Sequence, residues 1–137
     1  MQEVYEFLKA AGYYFLATVE GDQPRVRPFG TYVLFEDKFY IQSSKVKPVS
    51  KQMEANPKVE LCAFSDGDSF KGGEWVRISA ETVRDDRIEA HEAILEAHPQ
   101  LRDLGYSAGH ENMNALYLKN ATATFYSHAG VIKVVNF

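Results

Sequence analysis

The chain has 137 residues, 45% of them hydrophobic and 13% aromatic, which excludes intrinsic disorder and predicts one domain over residues 1–137. A formal net charge of −4 argues against nucleic-acid binding over the whole surface. The single cysteine excludes an internal disulfide and indicates a cytoplasmic protein. No apolar run approaches the roughly 18–20 residues of a membrane span.

The first third of the chain predicts one helix and three strands. Apolar residues at helical spacing from Val4 to Ala11 predict a helix that ends at Gly12. Three strands follow, over Tyr13–Glu20, Arg25–Phe35 and Lys38–Ser43, and their short turns predict an antiparallel meander. Pro28 lies inside the second strand, which suits an edge or a bulge because proline donates no ladder hydrogen bond.

The remainder predicts two helices among four strands. Lys45–Ala55 forms the second helix, with Pro48 in its first turn and Ser44 as the candidate N-cap. The third helix begins at Asp86 in a capping-box-like pattern and ends by Pro99. The other segments are strands over Lys58–Ser65, Glu74–Val83, Ala115–Tyr126 and Val131–Phe137, and loops over Asp66–Gly73 and Ser107–Asn114.

About seven strands and three helices result, with antiparallel neighbours dominant. This pattern predicts a mainly β (α+β) fold in which the helices are insertions. A small closed β-barrel is the favoured architecture, because closure removes the exposed edges of so many strands.

Basic and hydroxyl side chains gather where the third strand meets the second helix. Ser43, Ser44 and Lys47 stand at this junction, where free N–H groups and the helix dipole favour an anion. Arg25 and Arg27 share one face of the preceding strand, so both could line the site, or one could be exposed. The junction predicts a phosphate site, with Lys51 as an exposed neighbour.

Other reactive side chains indicate no second site. His91 and His98 lie seven residues apart on one predicted helix, about 10 Å along its axis, which is too far for two ligands of one ion. Cys62 sits on a central apolar strand and is expected to be an inert core residue. We therefore expect no metal site.

The order and spacing of several segments resemble one protein family. The segments are Pro24–Pro28, Tyr40–Ser44, Gln52–Glu60, Glu74–Ser79 and Ala121–Tyr126. Together they resemble the pyridoxamine 5′-phosphate oxidase-like family of FMN-binding split β-barrels, which are homodimers. The run from Lys47 to Glu60 is similar to the subset linked to nitroimidazole resistance.

This resemblance implies a flavin site and the residues that form it. The phosphate would meet the strand end and the basic helix start, and the polar edge of the ring would meet the strand Arg25–Pro28. Trp75 would contact the flavin from the other subunit. The implied cofactor-binding residues are Arg25, Val26, Arg27, Pro28, Gln42, Ser43, Ser44, Lys47 and Trp75.

The resemblance also implies a function. We expect a homodimeric, FMN-dependent oxidoreductase that transfers two electrons to or from a small molecule, and no side chain is named as catalytic. The chain end lacks the basic and aromatic segment with which the true oxidase binds its substrate, so pyridoxamine 5′-phosphate is not expected. Two alternatives remain: a flavin-binding or storage module without turnover, and a degenerate relative that binds no flavin. A heme- or F420-binding relative is also conceivable.

Overall fold

Twelve elements make up the part of the chain, residues 1–65 and 70–137, that the computed structural model describes. The helices are α1 (Gln2–Ala11), α2 (Pro48–Ala55), α3 (Ile88–Ala97) and α4 (Gln100–Asp103). The strands are β1 (Tyr14–Glu20), β2 (Gln23–Phe29), β3 (Val33–Phe35), β4 (Lys38–Ser44), β5 (Lys58–Phe64), β6 (Glu74–Arg84), β7 (Met113–Ser127) and β8 (Gly130–Asn136). The loop predicted over Asp66–Gly73 lies partly outside the described residues.

All strands belong to one antiparallel sheet in the order β2-β1-β5-β6-β7-β4-β3, and β8 also pairs with β7. The long strand β7 has β6 along one edge. Its other edge pairs with β4 in its first part and with β8 in its second part. A bulge in β6 between Ser79 and Glu81 lies near Asn120 of β7, which has a φ of 53°. The sheet therefore divides at the middle of β7, and the mainly β fold class with helical insertions is confirmed.

The closed barrel is not formed. The strand order ends at β2 and β3, which do not pair with each other in the described chain. Pro24 and Pro28 lie on β2, and strands that contain proline are confined to sheet edges because proline cannot donate to the ladder. The sheet thus stays open, and an unpaired edge of β2 is left beside the helical insertions.

The predicted meander is wrong, because the expected second strand breaks at residues 30–32. The Tyr14 hydroxyl donates to the Thr31 carbonyl at 2.7 Å. The Thr31 hydroxyl accepts from the Gln42 N–H at 2.9 Å and donates to the Gln42 carbonyl at 3.1 Å. These bonds turn the chain away from β1, so β2 and β3 lie at opposite ends of the sheet.

The main core lies between the inner face of the sheet and helices α1 and α2. Val4 and Leu8 of α1 are fully buried against strand residues such as Leu16 and Ile78. A second cluster packs α3 onto β4 and β7 through Tyr40, Ile94, Leu95 and Met113. Cys62 was expected in the core, but it is only half-buried, because its position on β5 faces the outer side of the sheet.

The helix ends differ in part from the prediction. Gly12 ends α1 with a φ of 83°, a left-handed conformation that glycine adopts without strain. Lys47, not Ser44, is the N-cap of α2, because β4 continues through Ser44 and Pro48 takes the first helical position. Arg87, not Asp86, precedes α3. The short helix α4 was not predicted, since four residues are too few for a periodic signal.

Candidate functional site

A pocket of about 240 Å³ opens where the end of β2, the end of β4, the start of α2 and the segment after α3 meet. One part of its lining is polar: Arg27, Thr31, Gln42, Ser43, Ser44 and Lys47. The other part is apolar: Pro28, Phe29, Val49, Leu101, Leu104 and Tyr106. Six of the nine residues predicted to bind the cofactor therefore line a single pocket.

The polar part of the pocket holds unused hydrogen-bond donors. Ser43 and Ser44 are buried, yet neither hydroxyl bonds to any residue in the described ranges. The Lys47 N–H donates to the Ser44 carbonyl at 3.1 Å, which draws the start of α2 against the end of β4. Lys45 is held by Asp86 at 2.9 Å, whereas Lys47 makes no ion pair within residues 1–65 and 70–137. Lys47 is thus the lysine left for a ligand.

Arg27 is the arginine of this pocket. One of its terminal nitrogens, Nη1, donates to the Thr18 hydroxyl at 2.7 Å and to the Leu16 carbonyl at 3.2 Å. The other, Nη2, donates to the Gln52 side-chain oxygen at 2.6 Å. Burial lowers the pKa of Arg27, and the charge of Arg25 lowers the pKa further. The side chain stays positive at neutral pH, because an arginine pKa starts above 12.

Three predicted residues lie outside the pocket. Arg25 is exposed and pairs with Glu20 at 3.1 Å, across the hairpin that joins β1 and β2. Val26 faces the outer side of the sheet and is 69% exposed. Trp75, on β6, stacks on Tyr126 with ring centroids 5.3 Å apart and an interplanar angle of 9°. Within one chain, none of these three residues lies at the polar part of the pocket.

The sequence did not predict most of the apolar wall, the pocket residue Thr31, or Gln52, which lies behind the pocket. Leu101 and Leu104, three residues apart after Pro99, mark α4, and Tyr106 follows it. Gln52 is buried beside Arg27, although Gln is usually exposed. Its position within the buried stripe of α2, next to Met53, was the available signal.

Two hydroxyls, one lysine, one arginine and a helix start suit a phosphate group. Charge-assisted hydrogen bonds from Arg and Lys are the strongest available to such an anion. Helix α2 begins with Pro48, which has no N–H, and the Ser50 N–H donates to the Lys47 carbonyl at 3.1 Å, so the Val49 N–H and the helix dipole add to the positive field. The described residues contain no group of three or more His, Cys, Asp or Glu side chains that could hold a metal ion.

Comparisons with known proteins agree with the fold. Residues 1–128 match the family described as Pyridoxamine 5′-phosphate oxidase. A NimC/NimA family protein from Clostridium acetobutylicum is 40% identical with a TM-score of 0.90, over 100% of this chain and 93% of that one. No curated protein matches.

Two more distant solved structures share the fold. A pyridoxamine 5′-phosphate oxidase-related, FMN-binding protein from Nostoc punctiforme is 15% identical with a TM-score of 0.69, over 94% of this chain and 84% of that one. HutZ, a heme storage protein from Vibrio cholerae, is 16% identical with a TM-score of 0.68, over 86% of this chain and 87% of that one.

The open antiparallel sheet, with a basic pocket beside its edge strand, is typical of the split-barrel class of proteins. The chain belongs to the pyridoxamine 5′-phosphate oxidase family. No helix in the described ranges is both long and apolar enough to cross a membrane.

Proposed function

We propose that this protein binds FMN and uses it as an oxidoreductase on a small molecule. The observation that carries the proposal is the pair of pocket-lining hydroxyls of Ser43 and Ser44, which have no partner in the described parts of the chain, beside the cations of Lys47 and Arg27. Hydroxyls that open into a basic pocket without a protein partner leave their donors available to an anionic ligand. A terminal flavin phosphate fits this set of donors.

The neighbouring edge of β2 suits the flavin ring. This strand ends the sheet, so one of its edges carries backbone N–H and C=O groups that no described strand pairs. Such an edge offers fixed donors and acceptors to the polar rim of the ring. The apolar residues Leu101 and Tyr106 lie at the opposite wall of the pocket. FMN is favoured over FAD because the site is built for one terminal phosphate, without a glycine-rich dinucleotide loop.

The site is expected to be shared between two chains. Small-molecule pockets usually measure about 300–1,000 Å³, and the pocket of one chain is smaller. A second subunit would add the missing wall, and Trp75 is the predicted contact from that side. The outer face of the sheet exposes several large apolar side chains, which supports a homodimer.

The bound flavin would supply two-electron transfer, and the protein's own residues bind and orient it. The described pocket lining contains no carboxylate, imidazole or thiol that could serve as an acid or base. The two free cations are both used by the cofactor phosphate in this scheme, which leaves none for the phosphate of pyridoxamine 5′-phosphate. A small acceptor without a phosphate is therefore the proposed substrate.

The first test is the cofactor. The purified protein, reconstituted with excess FMN and then desalted, should show an oxidised flavin spectrum, and mass spectrometry of the released ligand should identify FMN. FAD or heme as the sole retained ligand would overturn the proposal.

The second test distinguishes an enzyme from a flavin-storage module. A storage module is also compatible with a described pocket lining that contains no acid–base groups. The bound flavin is reduced anaerobically, and quinones, nitro compounds or buffer alone are then added. In a separate sample, the protein with oxidised flavin is mixed with pyridoxamine 5′-phosphate. Reoxidation by one acceptor class faster than that of free reduced FMN supports turnover. Reoxidation at the rate of free FMN for every class supports storage, and efficient oxidation of pyridoxamine 5′-phosphate contradicts the proposed substrate.

A further inference from the structure

The buried amide of Gln52 joins three elements behind the pocket. Its oxygen accepts from the Thr18 hydroxyl of β1 at 2.5 Å and from Arg27 of β2 at 2.6 Å. Its nitrogen donates to the Glu20 carboxylate at 3.0 Å. Gln52 itself belongs to α2 and is 7% exposed. One neutral side chain therefore ties the helix at the phosphate-like end to both strands of the β1–β2 hairpin.

The chemistry of its neighbours decides which way this amide points. Arginine can only donate hydrogen bonds, and an ionised carboxylate can only accept them. The Gln52 oxygen must therefore face Arg27, and its nitrogen must face Glu20. With the amide reversed, its nitrogen would face the donors of Arg27 and its oxygen would face the Glu20 carboxylate, so neither hydrogen bond could form. The orientation therefore follows from hydrogen-bond chemistry.

The same contacts set the orientation of the Arg27 guanidinium. Its Nη1 donors are taken by Leu16, Thr18 and the Arg25 carbonyl. Its Nη2 has one bond, to Gln52, so the Nε–H and one Nη2–H have no partner in the described parts of the chain. The guanidinium is thus fixed before a ligand arrives, with two donors left over.

A neutral partner matters for the charge of this arginine. Fixing a donor in advance removes part of the ordering cost of binding an anion. An amide fixes the guanidinium and leaves its full positive charge available. A carboxylate in the same place would hold Arg27 equally well, but it would neutralise the charge that an incoming phosphate needs.

We propose that Gln52 is a positioning residue for the flavin phosphate: it orients Arg27 toward the pocket without neutralising it, and Glu20 sets the direction of its amide. This inference rests on the proposed function, because it takes the anion in the pocket to be the phosphate of FMN. Gln52 acts through Arg27 and does not itself line the pocket.

The test compares FMN with riboflavin, which has the same ring and no phosphate. The Gln52→Glu variant is nearly isosteric, and it should lower the affinity for FMN about ten-fold or more while leaving the affinity for riboflavin unchanged. Lys51→Gln is the matched control, because it changes the net charge by the same amount at the neighbouring, exposed position of α2. Titration of flavin fluorescence measures both affinities, and the FMN preference of this control should equal that of the wild type.

The near-isosteric Gln52→Met removes the hydrogen bonds without adding charge, and it should also reduce the FMN preference, by a few-fold. If Gln52→Glu does not fold, Gln52→Met alone tests the positioning role. An unchanged FMN-to-riboflavin ratio in the folded variants overturns the positioning role alone. A wild-type protein that binds neither flavin overturns the proposed function as well.

Discussion

Arg25 and Arg27 lie two residues apart on β2, yet only Arg27 lines the pocket. Losing one charge-assisted hydrogen bond to a buried anion costs on the order of 1.5–3 kcal/mol. Since about 1.4 kcal/mol corresponds to a ten-fold change, Arg27→Ala should weaken FMN binding about ten-fold or more. Isothermal titration calorimetry of the full-length variant with FMN would measure this loss.

The matched control is Arg25→Ala, which removes the same side chain from the same strand. Arg25 is exposed and paired with Glu20, so its removal should change the affinity for FMN about two-fold or less. Equal losses in the two variants would show that general surface charge, and not a site, attracts the flavin.

His91 makes the stability of the protein depend on pH. The imidazole is 2% exposed, and its Nδ1 accepts a hydrogen bond from the Gly109 N–H at 2.9 Å. Its Nε2 has no partner among the described residues. Burial lowers the pKa of His91, and Lys45 also lowers it, while Asp85 and Asp86 raise it. The folded state therefore keeps this residue neutral, and protonation would break the bond to Gly109.

The sign of the effect follows from proton binding. Below about pH 6.5, the ordinary histidine pKa, the unfolded chain binds a proton at His91 that the folded chain resists. The stability contributed by neutral His91 is thus present above this pH and is lost as the pH falls below it, at no more than about 1.4 kcal/mol per pH unit. Urea unfolding at several pH values would measure the slope.

His91→Asn is the control for that slope, because its side-chain oxygen can accept from Gly109 and it does not titrate. Carboxylates elsewhere titrate equally in both proteins and cancel in the comparison. The stability difference in favour of the wild type should shrink as the pH falls from about 7.5 to 5. Parallel stability curves for the two proteins would contradict the prediction.

At the scale of elements, sequence patterns predicted the helices and strands whose structure depends mainly on residues close together in the chain. Helix α1 follows from its apolar spacing and Gly12, and strands β5 to β8 follow from their apolar and β-branched residues. The junction of Ser43, Ser44 and Lys47 was also predictable, because all three lie where a strand signal meets a helix signal. Their placement in one pocket agrees with that reading, and their contact with a cofactor stays a prediction.

Two features that the sequence did not predict depend on contacts between residues that lie far apart in the chain. The break between β2 and β3 depends on Tyr14 and Gln42, which lie 17 and 11 residues from Thr31. The choice of Arg27 over Arg25 depends on Gln52, 25 residues away on α2. No pattern within one strand distinguishes the two arginines, since they share the same face.

At the scale of the whole molecule, the two faces of the sheet differ. The inner face is covered by α1 and α2, whereas on the outer face α3 packs against β3, β4 and β7. A row of directly paired positions crosses six strands on this outer face: Pro28, Phe15, Cys62, Arg77, Thr124 and Val134. Nearby lie the exposed Tyr13, Val26 and Phe64. The exposed apolar side chains Tyr13, Phe15, Val26 and Phe64 on this face, beside the Arg77–Glu60 ion pair, are typical of an interface with a polar component.

We predict that this outer sheet face forms a two-fold homodimer, the commonest arrangement for a single type of chain. Sedimentation at micromolar concentration should give twice the 15.5 kDa mass of one chain. Phe15→Asp places a charge in the middle of the face, and it should yield monomers that also bind FMN more weakly, because each pocket would lose the wall supplied by its partner. Ile88→Asp is the matched control: Ile88 is 46% exposed and Phe15 is 45% exposed, but Ile88 lies on α3, away from this row of positions. A flavin-loaded wild-type monomer, or dimers in the Phe15→Asp variant, would contradict the prediction.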